Sequence, residues 1–312
     1  MKHMELLGIL LTLIIQVTLV SSFMPAYNGN HDSPFTRLMK VKSVVTQLEV
    51  PAQDIRDKDN LAIERDCLAP NQLSKIRSIE GLEVGKFAYR LGLPENLTTE
   101  LSDFLDKSGI DEMFRVLLTM NALEPGESLS VPSSTVDGEN EDLVWIAQRP
   151  NNHWSNDMHW IASGNQNSKE KYLDILSRGG FNETLAAIGE TFGMQKDEMM
   201  IHHAFFIGVS KASDSYTHQD FKDTDGRGFT LLIPLRLVRN KGPELAYQDS
   251  ETNLYTWYKY VMNECALVGD GTWHKTANCD YTETNEYRIC ANIYICHKDH
   301  PLNGVSNTKG CI

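Results

Sequence analysis

The run Arg288-Ile289-Cys290-Ala291-Asn292-Ile293-Tyr294-Ile295 alternates without a break. In an extended chain successive side chains point to opposite faces. Ile289, Ala291, Ile293 and Ile295 therefore make one uniformly apolar face, and Arg288, Cys290, Asn292 and Tyr294 make the other. The apolar face must pack against a second layer. The polar face lies in mid-sheet, where it makes sense as the lining of a cavity, and an Arg inside a cavity needs an anion. The competing reading is an Arg paired with a protein carboxylate on a surface sheet.

The segments before this strand agree with a layered β architecture. Met199–Val209, with Ala204-Phe205-Phe206-Ile207-Gly208-Val209 at its centre, suits a buried strand. Beyond it helical periodicity largely disappears. Short strands separated by turns at Asp225-Gly226, Asn240-Lys241-Gly242 and Gly269-Asp270-Gly271 suit a jelly-roll of two facing sheets. Upstream the pattern is helical. Thr98 reads as the cap of an amphipathic segment through Leu105, and Ile110–Leu123 is another, ended at Pro125-Gly126. Lys169–Arg178 and Asn182–Phe192 read as two helices split by Gly179-Gly180. Between these pairs lie an acidic loop, Ser133–Asp142, a short strand, Leu143–Ala147, and a loop-like Asn151–Gln166. The predicted class is mainly β with flanking helices: a double-stranded β-helix (jelly-roll) core over 141–298, an N-terminal helical region over 71–140, and a tail over 299–312.

Within the β region His218 and Asp220 stand two apart, so in extended chain they project the same way. His274 follows after a gap of 56 residues, and Arg288 fourteen residues later. Two imidazoles and one carboxylate on one face of a metal suit Fe(II), with open positions for oxygen and a chelating co-substrate. Arg288 is suited to a bidentate, charge-assisted pair with a carboxylate. Each residue alone has an ordinary explanation; the combination in order carries the signal. The remaining histidines read otherwise. His202-His203 sit on a strand with one of the pair inward, and His153 and His159 flank Trp154 and Trp160 in packing roles. His297 and His300 belong to the tail, and Trp273 reads as core. Tyr216, Thr230 and Tyr247 are either structural or hydrogen-bond donors to co-substrate or substrate.

This pattern resembles the iron(II)- and 2-oxoglutarate-dependent dioxygenases. Gly228-Phe229-Thr230-Leu231-Leu232-Ile233-Pro234-Leu235 and Gly242-Pro243-Glu244-Leu245-Ala246-Tyr247 are similar to the strand and Gly-Gly-Glu-Leu turn of the prolyl-4-hydroxylase-like branch. The second Gly of that turn is Pro243 here, and the basic residue is Arg288 rather than the Lys usual in prolyl hydroxylases. The match covers 199–296, about a third of the chain. The resemblance implies Fe(II) held by His218, Asp220 and His274, and 2-oxoglutarate anchored at its far carboxylate by Arg288, with ascorbate a candidate further cofactor. It implies hydroxylation of an unactivated C–H bond on a peptide or small-molecule substrate, with succinate and CO2 as co-products. Three alternatives stay open: a cupin-type metal protein or dioxygenase that uses no 2-oxoglutarate, a non-catalytic binding module on the same fold, and a secreted interaction protein working through its helical region.

Composition narrows the class further. The chain has 312 residues, is 41% hydrophobic and 23% charged, and carries a formal charge of −13. It reads as globular, and the acidity argues against nucleic-acid or anionic-membrane binding. No Gly-x-Ser-x-Gly elbow, P-loop or Gly-x-Gly-x-x-Gly fingerprint is present. The six cysteines form no Cys-x-x-Cys pair, which speaks against zinc. Met1-Lys2-His3, the apolar run Leu6–Val20 and Ser21-Ser22 have the order of a secretory signal over 1–22, with an uncleaved membrane anchor as the alternative. Ser22-Phe23-Met24-Pro25-Ala26 resembles the junction of presequences entering the complex plastids of diatoms and related algae. Residues 23–70 then read as presequence and linker. The expected location is the ER or Golgi lumen or the exterior, or such a plastid.

Overall fold

The computed structural model describes residues 85–299, apart from 121, 137–138, 151–156, 214, 222–223, 239–241, 243 and 249–254. The signal segment, the linker, Cys67, His153, Trp154, His300 and the tail from 300 onward lie outside the described residues. Elements follow in the order β1 (Ala88–Gly92), α1 (Glu95–Lys107), α2 (Ile110–Met120), β2 (Ser128–Val136), β3 (Glu139–Gln148), β4 (Asp157–Ser163), α3 (Gln166–Arg178) and α4 (Phe181–Thr191). Then come β5 (Met199–Ala212), β6 (Gly228–Arg236), β7 (Leu245–Gln248), β8 (Tyr255–Tyr258), β9 (Glu264–Gly269), β10 (His274–Thr276), β11 (Cys279–Asp280) and β12 (Arg288–His297).

A large antiparallel sheet runs β1-β9-β6-β12-β5-β4-β3-β2, with β11 also paired to β5. A small sheet runs β10-β7-β8 and is extended by a bridge between His218 and His274. From β5 onward the chain passes back and forth between the two sheets, which is the double-stranded β-helix expected. The alternation of β12 is expressed in its packing. Ile289, Ala291, Ile293 and Ile295 are fully buried in one cluster with Phe104, Phe114 and Tyr172 of the helices. Each large side chain so buried contributes about 1.5–3 kcal/mol. On the opposite face Cys290 joins Leu232, Leu245, Tyr247, Tyr258, Tyr260 and Val268 in a second cluster between the sheets.

Gly208 sets how closely α2 approaches the sheet. A Cβ there would come within 2.4 Å of Phe114 Cδ1 and 3.0 Å of Leu118 Cδ1.

Several local expectations are corrected. Residues 71–140 are not wholly helical: β1 pairs with β9, and β2 with β3, so this region contributes strands to the large sheet. Of the supposed acidic loop Ser133–Asp142, Ser133–Val136 belongs to β2 and Glu139–Asp142 to β3, which pair with each other, and β4 occupies part of the supposed loop Asn151–Gln166. These strands carry too little alternation to register alone; neighbours supply the hydrogen bonds that hold them. Thr98 is not a cap. The helix starts three residues earlier behind Pro94, and Thr98 is buried on its inner face. Helix α3 begins at Gln166 because Asn165 accepts from Ser168 N at 2.9 Å while Ser168 Oγ accepts from Asn165 N, a reciprocal cap. Trp273 is half-buried and outside the core, and His297 closes β12 rather than opening the tail. Cys265, Cys279, Cys290 and Cys296 are not joined in disulfides.

Candidate metal centre and anion pocket

The backbone brings the two imidazoles together. His218 N donates to His274 O and His274 N to His218 O, each at 2.9 Å, so the residues face each other across one rung of the small sheet. Their ring centroids are 4.6 Å apart. In each, Nδ1 lies 3.0 Å from the carbonyl two residues earlier, Tyr216 O for His218 and Thr272 O for His274. A carbonyl only accepts, so Nδ1 carries the hydrogen and Nε2 keeps its lone pair for another purpose.

Asp220 completes the group. Its Oδ1 is 3.6 Å from His218 Nε2 and its Oδ2 is 3.1 Å from His274 Nε2. The three ligand atoms lie within 4.8 Å of one another, and among the described residues no other set of His, Cys, Asp or Glu atoms does so. Nitrogen, nitrogen and carboxylate oxygen on one side, with the other directions unclaimed by these three side chains, form a donor set that could hold a divalent iron-class ion.

Both carboxylate oxygens of Asp220 are held from behind. Thr230 Oγ1, on β6, donates to Oδ2 at 2.7 Å, and Tyr294 OH, on β12, donates to Oδ1 at 2.8 Å. Burial, reinforced by the neighbouring Asp220 carboxylate, pushes the Tyr294 phenol well above its usual range, so it stays a donor. The Tyr294 ring is itself wedged edge-on against Phe205 and Phe221, at 5.3 and 5.6 Å. The loops that carry the ligands are braced to each other. Gln219 Nε2 donates to Gly271 O at 2.9 Å, and Asp270 accepts from Thr224 Oγ1 and from Gly226 N at 3.0 Å. Burial pushes the Asp270 carboxyl up to about 6 against its hydrogen bonds.

Arg288 lies at the other end of the same inner face of β12 and is 4% exposed. Among the described residues it makes one hydrogen bond, Nη1 to Glu244 O at 2.9 Å. Its Cζ lies 5.6 Å from the centroid of the Tyr260 ring, a cation–π contact. The Glu244 carboxylate accepts from Tyr260 N at 2.7 Å, which fixes the ring beneath the guanidinium. Burial raises the Glu244 carboxyl, and that hydrogen bond and Arg288 pull it back. Burial also raises the Tyr260 phenol, with Arg288 lowering it and Asp220 raising it, so this hydroxyl feels both ends of the interior. The guanidinium thus keeps four N–H groups beyond its bond to Glu244.

The structure brings His218, Asp220 and His274 into one cluster and sets Arg288 inward, on the face that the cluster's brace Tyr294 shares. Thr230 touches Asp220 directly, whereas Tyr247 is a buried ladder partner of His274 and Tyr216 stacks its ring on that of His218 at 6.4 Å. Sequence reasoning missed the parts played by Glu244 and Tyr260. The Gly242-Pro243-Glu244 stretch was the available signal; in the fold Gly242 has φ +134° and a Cβ there would meet the Glu244 carboxylate at 2.6 Å, so glycine is needed beside that carboxylate. His203 rests its ring 4.9 Å from Phe205, and His159 is buried on β4 with its imidazole driven far below the usual range by burial.

No protein-family model and no curated protein matches this chain. Among solved structures, it is similar to a 2OG-Fe(II) oxygenase-family oxidoreductase from Burkholderia pseudomallei, at 14% identity over 74% of this chain and 96% of that one, TM-score 0.42. A Pseudomonas putida prolyl-4-hydroxylase aligns at 12% identity over 73% and 98%, TM-score 0.42. The non-heme alpha-ketoglutarate-dependent epimerase SnoN from nogalamycin biosynthesis aligns at 13% identity over 77% and 92%, TM-score 0.45.

Proposed function

We propose that the chain is an Fe(II)- and 2-oxoglutarate-dependent dioxygenase that hydroxylates an unactivated C–H bond of a peptidyl or small-molecule substrate. One observation carries this reading: a His-Asp-His cluster and a buried guanidinium with unspent donors share one barrel interior. A metal protein without an oxo acid leaves such an arginine only partly explained: the Glu244 carboxylate acts on it without forming an ion pair, and burial of a guanidinium costs several kcal/mol unless an anion meets it fully.

In this reading His218 Nε2, His274 Nε2 and Asp220 hold iron, and Arg288 receives the distal carboxylate of 2-oxoglutarate through a charge-assisted pair. Bound iron and the oxo acid supply the activation of dioxygen; net, substrate, O2 and 2-oxoglutarate give hydroxylated substrate, succinate and CO2. The protein's own contribution is orientation and dryness. Thr230 and Tyr294 hold the carboxylate ligand, the two carbonyls fix the imidazole tautomers, and the apolar cluster between the sheets keeps water from the interior. Entry to the secretory pathway through residues 1–22 belongs to the same proposal, and an epitope-tagged chain recovered without that segment in a membrane-enclosed compartment would support it.

The test is anaerobic titration of iron-loaded protein with 2-oxoglutarate. A visible charge-transfer band is expected in the wild type, weakened by Arg288→Ala, together with oxygen-dependent succinate formation. Iron binding without the band or succinate would sink the co-substrate assignment and favour a cupin-type metal protein.

A further inference from the structure

Two threonines of the helical layer keep hydroxyls that the fold does not use. Thr98 lies in the first turn of α1 and is 4% exposed; Thr184 lies in the first turn of α4 and is fully buried. Among the described residues neither Oγ1 has a hydrogen-bond partner. Hydroxyls at the far ends of the same helices do have one: Ser108 Oγ donates to Phe104 O at 2.6 Å, and Thr191 Oγ1 to Ala187 O at 2.8 Å. A buried hydroxyl without a partner is destabilising, and Val would keep the shape without that cost. Something other than the folded interior therefore accounts for the pair.

Both stand two residues after an exposed asparagine, in Asn96-Leu97-Thr98 and Asn182-Glu183-Thr184. Asn-x-Thr, with x other than Pro, is the acceptor pattern for N-linked glycans, in which the hydroxyl is read together with the amide. Such triplets also arise by chance. Here an exposed Asn, a buried Thr and an unspent hydroxyl coincide twice. The two triplets share one corner. A Cβ on Gly180, just before α4, would lie 3.1 Å from the Cβ of Pro94, just before α1, and one on Gly179 would lie 2.9 Å from Leu97 Cα. The corner belongs to the helix-covered face of the large sheet, because Leu97, Phe181 and Leu185 share the cluster of Ile289, Ala291 and Ile293. Tyr294 holds Asp220 from the opposite face of β12, so sugars at the corner stand across the sheet from the metal centre. Asn182 Nδ2 donates to Ser177 Oγ at 3.0 Å, an exposed bond that uses one of its two N–H groups.

We propose that Asn96 and Asn182 are N-glycan attachment sites. This rests on the secretory entry through residues 1–22 proposed above. In the transfer, the Asn Nδ2 bonds to C1 of an oligosaccharide carried on a polyprenyl diphosphate. The C1–O bond to the diphosphate breaks, the polyprenyl diphosphate leaves with the electron pair, and one amide proton passes to solvent. Because the threonines are buried once folded, the transfer precedes folding, and the exposed asparagines then leave the sugars outside. The experiment expresses the full chain in eukaryotic cells and reads its mass by spectrometry before and after peptide-N-glycosidase, with thermal unfolding of glycan-free chain made in bacteria alongside. Expected is a wild type that lacks residues 1–22 and carries two removable glycans, at Asn96 and Asn182. Thr98→Val and Thr184→Val should each lose one glycan, and their glycan-free forms should unfold at or above the wild-type temperature. Wild type that lacks residues 1–22 and bears no glycan at either Asn overturns the proposal. A Val variant that unfolds at a lower temperature also overturns it, since its hydroxyl then serves the fold. A chain that keeps residues 1–22 and bears no glycan defeats the secretory reading, and the proposal with it. Should a Val variant fail to accumulate, Asn96→Gln and Asn182→Gln, at exposed positions, are read for the same glycan loss.

Discussion

Tyr294→Phe removes a single oxygen atom and keeps the ring that packs against Phe205 and Phe221 at 5.3 and 5.6 Å. What it withdraws is the 2.8 Å hydrogen bond to Asp220 Oδ1. A hydrogen bond to a charged group contributes about 1.5–3 kcal/mol, and loss of such a partner behind a metal ligand typically weakens metal binding about 10–100-fold. The variant should lose apo stability by a similar amount, because the carboxylate is buried with one donor fewer. Two losses follow, and they separate. Unfolding of the metal-free protein reports the first; the further stabilisation gained on adding Mn(II) reports the second, and a tenfold weaker Kd shrinks that gain by about 1.4 kcal/mol at a fixed excess of metal. Anaerobic calorimetry gives the Kd directly. A variant that binds Mn(II) as tightly as wild type would show that Thr230 and the backbone alone orient Asp220, and the reasoning about Tyr294 would be refuted.

Thr230→Val keeps shape while removing the 2.7 Å bond to Asp220 Oδ2; Mn(II) calorimetry should again show about 10-fold weaker binding. Asp270 is raised from an ordinary 3.8 to about 6, chiefly by burial, so the native state binds its proton more tightly than the unfolded chain. That contribution is fully present below about pH 4 and is lost as pH rises through about 6, amounting to about 3 kcal/mol. Asp270→Asn should flatten the stability profile between those limits in urea titrations, and an unchanged slope would contradict the burial argument. Gly208→Ala drives a methyl into Phe114 and should cost about 1–3 kcal/mol in urea unfolding without altering Mn(II) affinity.

The alternation of β12 and the order His218, Asp220, His274, Arg288 were readable in the chain itself. Their physics is local: a period of two decides which side chains share a face, and ligand type decides which ions suit them. The two-sheet core followed from the same alternation, because a strand apolar on one side and polar on the other needs a layer on each. Helix positions were readable to within a few residues, and the misplaced start at Thr98 arose because a threonine turned inward looks like a cap until its neighbours are known.

Tertiary pairing decided the rest. β1, β2 and β4 are strands because β9, β3 and β5 accept their hydrogen bonds, a condition absent from their own residues. The hold of Thr230 and Tyr294 on Asp220 joins residues 10 and 74 positions away, and the Glu244–Tyr260–Arg288 cradle joins three separate segments. Hydrogen bonds of that reach leave no periodic trace along a chain. Which donors are spent and which remain is therefore a property of the folded interior alone, and the unspent ones on Arg288 carry the functional reading.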